Sequence, residues 1–168
     1  MSKAFTKESD DAPDEPPAAR PLSALPPGAK NYLTADGAEA FREELRRLGE
    51  QRAQMVNSAD DPEGKRRLRA VDQRMLDLES LLATAEIVTA NNCAADEVCF
   101  GSRVTVREGD GTEHTYRIVG VDEADFDRGW VSWISPIARA LLGARRGERV
   151  AFSFPSGAKE LEIVSIVS

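Results

Sequence analysis

The 168-residue chain is poor in the residues that build most catalytic and secreted proteins. Its two cysteines, Cys93 and Cys99, cannot make a multi-bridge disulfide framework, and no second pair exists for a zinc site. Both read as ordinary reduced thiols. A single histidine, His114, excludes His-rich metal clusters and leaves little room for triad chemistry. No apolar run approaches the ~18–20 residues of a membrane span, so no membrane segment is expected. The start, MSKAFTKESDDAPDEPP, has no apolar stretch that could serve as a signal peptide, which points to the cytoplasm. A positive surplus is also missing: 22 Lys and Arg face 29 Asp and Glu, a net charge of −7. Non-specific duplex binding draws on phosphate neutralisation, so a general DNA coat protein is excluded.

What is present is divided sharply along the chain. Residues 1–30 are acidic and proline-rich, with almost no apolar periodicity. Such a segment buries too little to offset its ordering entropy and is expected to be a disordered arm. From 31 to 90 the spacing becomes helical. Thr34 can cap a helix with the stripe Phe41, Leu45, Leu48, Arg52 and Met55, and a second stripe runs Leu68, Val71, Met75, Leu78, Leu82 and Ala85. Both step by alternating threes and fours, the spacing of a two-helix seam. Pro62 and Gly64 punctuate the turn between them. An antiparallel coiled-coil hairpin follows, a projecting finger of roughly 33 Å at 1.5 Å per residue.

Residues 91–98 read as a linker, and 99–168 change to a period of two. Arg103–Arg107 alternates, Glu108-Gly109-Asp110-Gly111 is a turn, and His114–Val121 returns. Trp130–Ile134 is a third strand, and its two tryptophans point to opposite faces. Ser135 and Pro136 open a short helix that Gly143 stops. Arg149–Phe154 and Lys159–Val167 close a last hairpin. The fold class is therefore α+β, a helical hairpin followed by an antiparallel sheet with one short helix on it. Asp122, Glu123, Asp125 and Asp127 crowd one loop beside Phe126 and read as a solvated acidic turn.

Several stretches resemble the GreA/GreB transcript-cleavage factors of bacterial RNA polymerase, with the GreB branch closer. They are Ser135-Pro136-Ile137-Ala138-Arg139-Ala140-Leu141-Leu142-Gly143, Arg146-Gly147-Glu148, the Phe154-Pro155-Ser156-Gly157 turn, Tyr116–Gly120, Tyr32-Leu33-Thr34, and Gly64–Asp72. The resemblance implies an FKBP-like C-terminal domain that binds RNA polymerase at the secondary channel through Ser135, Pro136, Arg139 and Leu142. It also implies that the factor acts as a monomer. The finger then reaches toward the active centre. There, tip acids help hold a Mg²⁺ shared with the polymerase, which cleaves its own backtracked RNA. The factor has no cofactor of its own and is not an enzyme alone. Carried onto this chain, Asp60, Asp61 and Glu63 are the catalytic acids, with Asp60 and Glu63 on the metal. Lys65, Arg66, Arg67 and Arg69 would contact the backtracked nascent RNA 3′ end. One departure stands out: the tip is shorter than the family pattern, as though about one heptad were missing from each arm, or roughly 10 Å of reach. Two readings therefore stay open, a cleavage-promoting factor and a shortened Rnk-like regulator that occupies the channel without promoting cleavage. A prolyl isomerase is disfavoured, since the chain has too few aromatics to line a deep pocket. So is a scaffold dimer, since Pro62 and Gly64 break the stripes.

Overall fold

A computed structural model describes residues 22, 25–57, 60–89 and 93–168. The expected arm lies outside the described residues except for its last part. There Leu22 packs beside Leu33, Ala38 and Leu81 at the root of the finger. The finger consists of α1 (Ala35–Val56) and α2 (Pro62–Thr84), packed as an antiparallel pair; Pro62 and Gly64, expected between the arms, lie instead in the first turn of α2, just after its Asp61 cap. Thr34 caps α1 as expected, its hydroxyl accepting from the Gly37 N–H at 3.0 Å. Two short strands, β1 (Tyr32–Leu33) and β2 (Glu86–Ile87), pair in parallel and tie the entry and exit of the hairpin together. The periodicity did not show this clamp, because two residues are too few to carry a pattern.

The seam differs from the predicted stripe at two places. Arg52 is exposed and reaches across to Asp72 at 2.5 Å, since a guanidinium finds no partner inside an apolar seam. Arg74 and Glu44 form a second cross-link, with hydrogen bonds of 2.8 and 3.2 Å, and this pair is largely shielded from solvent. Near the root, Leu81 is buried against Leu33 and Ala38, while Leu82 sits at the margin. The apolar face turns there toward the chain entering the finger.

The C-terminal unit is a five-stranded sheet in the order β5-β4-β3-β7-β6, formed by β3 (Arg103–Glu108), β4 (Glu113–Val119), β5 (Trp130–Ser132), β6 (Arg149–Phe154) and β7 (Gly157–Val167). The sheet is not wholly antiparallel, because β5 pairs in parallel with β4. The third strand also stops at Ser132, short of Ile134, where the Ser135 N–H bonds back to the Ser132 carbonyl and turns the chain. Helix α3 (Pro136–Leu141) begins at its Ser135 cap, and the chain leaves it through Gly143 at φ +81°, the left-handed region glycine tolerates. Alternation on β3 buries Val104 and Val106, which join Ile118, Leu161 and Ile163 of the sheet and Ala138 and Leu141 of α3 in one core.

The cysteines depart from expectation. Cys93 and Cys99 are joined in a disulfide, with Cα atoms 6.3 Å apart, inside the range the bond requires. Spacing alone could not settle this, because a pair six residues apart meets only if the intervening chain turns back.

Candidate functional site

The tip of the finger is built from the end of α1, the turn and the first turn of α2. Asp61 is the N-cap of α2, and its carboxylate accepts from the Gly64 N–H at 2.7 Å. Pro62 follows in the first turn, where its missing donor costs nothing. Glu63 lies one residue on and accepts from Arg67 at 3.2 Å, an exposed i,i+4 pair. Asp60 precedes the cap, is exposed, and has no partner among the described residues. The three acids thus have three different occupations: one free, one half-committed to a cap, one paired. Among the described residues no group of three or more Asp, Glu, His or Cys is arranged to hold a metal unaided. The donor set is all oxygen and solvent-facing, which suits an ion completed by another molecule's ligands and water. All three also sit at the positive end of the α2 dipole, which favours them electrostatically whatever else they do.

The basic cluster divides likewise. Arg67 is held by Glu63, whereas Lys65, Arg66 and Arg69 are exposed and form no ion pair with the described residues. Lys65 and Arg69 are four apart and Arg66 and Arg69 three apart, so they share one side of the helix just behind the tip. Three cations at the positive end of a helix, without partners, form a local field that attracts phosphate.

The residues assigned to docking lie on and beside α3. Ser135 accepts from the Ala138 N–H at 3.3 Å, so its hydroxyl is used by the fold. Leu142 packs against the core, with its N–H donating to the Ala138 carbonyl. Pro136 and Arg139 are exposed, and Arg139 has no ion-pair partner among the described residues. Of the four, Pro136 and Arg139 are exposed, and Ser135 and Leu142 are half-buried. Ala138 and Leu141 of the same motif are fully buried.

Sequence reasoning missed the junction between the finger and the sheet. Glu123, read as part of a solvated loop, is buried. Its carboxylate accepts from the backbone N–H of Thr34 and of Gly120, each at 2.9 Å, and from the Thr34 hydroxyl. Around it, Arg117 bonds Asp36 of α1 at 2.7 Å. Tyr32 packs against Trp133 and Phe100, with centroids 5.1 and 5.9 Å apart. Trp130 is instead flanked by Arg128 and Arg117 at 3.9 and 5.2 Å, so the two tryptophans do serve different surroundings. The available signal was Gly120, three residues before Glu123: a Cβ there would come within 2.2 Å of the Tyr32 carbonyl, so only glycine lets the segments meet.

Comparison with known proteins adds three findings. Residues 93–168 match the family model described as "Transcription elongation factor, GreA/GreB, C-term". The chain is 40 % identical over 152 positions to the transcription elongation factor GreB of Neisseria meningitidis serogroup A, covering 82 % of this chain and 93 % of that one. It is 37 % identical over 154 positions to the transcription elongation factor GreA of Alkalilimnicola ehrlichii, covering 82 % and 98 %. Since 82 % of 168 residues is about 138, about 14 of the 152 positions shared with the Neisseria protein face no residue here. Among solved structures, a GreA/GreB factor from Nitrosomonas europaea matches at TM-score 0.42 and 22 % identity, over 83 % of this chain and 99 % of that one. The GreA factor homolog of Thermus thermophilus matches at 0.41 and 24 %, over 83 % and 100 %.

Proposed function

This chain belongs to the GreA/GreB family of transcription elongation factors, and from that premise we propose that it binds RNA polymerase at the secondary channel and promotes cleavage of backtracked RNA. The observation that carries the proposal is Asp60, an open carboxylate at the far end of a hairpin whose arms hold 22 and 23 residues. The sheet domain docks through the exposed Pro136 and Arg139, and the finger points into the channel. Asp60, assisted by Asp61 and Glu63, would help hold a Mg²⁺ that the polymerase shares. When bound, that ion neutralises charge developing at the phosphodiester and helps activate water. Asp61 contributes through the carboxylate that caps α2, which fixes the turn carrying Asp60. Lys65, Arg66 and Arg69 hold phosphates of the extruded RNA 3′ end, and Glu63 keeps Arg67 beside them. The bond-breaking machinery belongs to the polymerase, so the chain is a stimulator and not an enzyme by itself.

A second reading has its own support. The roughly 14 positions without counterpart here amount to about one heptad on each arm if they fall in the finger, and one heptad shortens an arm by roughly 10 Å. A finger that stops short would occupy the channel without aiding cleavage. Purified backtracked complexes with Mg²⁺ separate the two. Shortening of the RNA that disappears in Asp60→Ala supports the first. Intact RNA, with retained competition against a full-length Gre factor, establishes the second. Asp60→Ala should leave stability unchanged, whereas Asp61→Ala removes a helix cap and should cost about 1 kcal/mol in denaturant unfolding. That contrast keeps a chemical loss distinguishable from a structural one.

A further inference from the structure

We propose that Cys93 and Cys99 form a reversible redox site that fixes the loop following α3, and that its oxidation state tunes docking on the polymerase; the docking part rests on the function proposed above. The disulfide spans a sequence separation of six. Within that span the backbone is laid against the loop that leaves α3. The Val98 N–H donates to the Ala144 carbonyl at 2.9 Å, the Gly143 N–H to the Val98 carbonyl at 2.8 Å, and the Arg146 N–H to the Asp96 carbonyl at 3.0 Å. Glu97 faces Arg145 in an antiparallel bridge. Val98 is buried in the core and anchors one end, and the Cys99 N–H donates to Ser102 Oγ at 3.1 Å. The disulfide pins the other end. Once it opens, the stretch from Cys93 to Glu97 is no longer cross-linked back to Cys99, and the Asp96–Arg146 bond is no longer braced by it. Arg145 and Arg146 are exposed and, like Arg139, form no ion pair with the described residues. The loop that the disulfide steadies thus extends the free cationic surface of the docking helix.

Both cysteines are half-buried, within reach of small thiols and disulfides. A factor that works on RNA polymerase works where thiol pools keep most cysteines reduced, so a disulfide there is a switchable one. The step is thiol–disulfide exchange with a low-molecular-weight disulfide such as oxidised glutathione. One cysteine thiolate attacks the small disulfide and expels one thiolate, giving a mixed disulfide. The second cysteine thiolate then displaces the other, so that two protein thiols become one disulfide and two small thiols take up the two protons. A fixed loop binds better than one that must be ordered on binding, so the oxidised chain should be the tighter binder.

The test equilibrates the full chain in glutathione buffers from reducing to oxidising. Alkylation mass reports both cysteines, hydrogen exchange reports the amides of Val98, Gly143 and Arg146, and binding to RNA polymerase is measured in parallel. Expected are one two-electron transition, slower exchange at those amides when oxidised, and at least about fivefold tighter binding. The Cys93→Ser, Cys99→Ser double variant, folded by circular dichroism, should match the reduced chain in every buffer. Thiols that never oxidise, or oxidation that leaves the three amides unchanged, would overturn the redox site. Slower exchange with equal binding in both states overturns the control of docking. If neither state binds polymerase, the proposed function fails with that control, and the exchange data still decide the redox site.

Discussion

Replacing Glu123 by alanine would leave the Thr34 N–H, the Gly120 N–H and the Thr34 hydroxyl without their acceptor in a buried place. Each unsatisfied donor is costly, and we expect about 3 kcal/mol of destabilisation in denaturant unfolding, with little of it recovered by water. Gly120→Ala should be at least as damaging, because its methyl would meet the Tyr32 carbonyl, and backbone cannot move aside as a flexible side chain can. Neither effect was legible in the sequence. Glu123 stands among Asp122, Asp125 and Asp127, and composition gives no reason to single out one acid of four. A titration gives a second test at this scale. The Thr112 backbone N–H, foremost, holds the Asp110 carboxyl below its ordinary range in the β3–β4 turn. Folded-state lowering means that its stabilising contribution is present above the unfolded value and is lost as pH falls through the folded value. Protection of the Thr112 amide should therefore fall away only in acid, and Asp110→Asn should flatten that limb by lowering protection at neutral pH toward the acid value.

Among elements, the finger is where sequence and structure agree best and where their disagreement is most instructive. Two apolar stripes foretold α1 and α2, because heptad spacing is long-ranged and redundant, whereas Pro62 and Gly64, read as the turn between them, open α2. The cross-links between the arms were not foretold, since pairing Arg52 with Asp72 or Arg74 with Glu44 requires a register that spacing does not supply. The shielded Arg74–Glu44 pair should show about 1 kcal/mol of coupling in a double-mutant cycle, and swapping the two residues should restore much of the stability that either single reversal removes. The sheet tells a similar story. Alternation identified β3, β6 and β7, but the parallel pairing of β5 with β4 depends on a crossover through the Phe126–Arg128 turn that no local pattern encodes. In the motif around α3, Ser135 also caps the helix and Leu142 also packs on the core, each half-buried, while Pro136 and Arg139 are exposed.

For the whole molecule, a net charge of −7 conceals an uneven distribution. Five of the nine Lys and Arg in α1 and α2 pair with acids. Among the described residues three of the other four, Lys65, Arg66 and Arg69, lie behind the tip, while Arg139, Arg145 and Arg146 form no ion pair in and after α3. Binding to a backtracked complex should therefore depend on salt despite the acidic chain. Neutralising Lys65, Arg66 and Arg69 should flatten the plot of log affinity against log salt, its slope changing by about 0.7 for each single-strand phosphate no longer engaged. An unchanged slope would remove these residues from the RNA path. The family was legible because its motifs span the chain in order. The surroundings of the tip acids were not, because spacing does not tell that Asp61 caps α2 and Glu63 pairs with Arg67 while Asp60 stays exposed.

The root of the finger has one more consequence, and it is a matter of leverage. The parallel pair of β1 and β2 and the buried Glu123 form a hinge block from which a rod of roughly 33 Å extends. Over that length each degree of play at the root displaces the far end by about 0.6 Å. That already exceeds the tolerance of about 0.5 Å within which a carboxylate must meet a metal. Aim at the tip is therefore decided at Thr34, Gly120 and Glu123. On the function proposed above, a substitution there that left the fold intact but admitted a few degrees of wobble would disarm the finger without touching its acids.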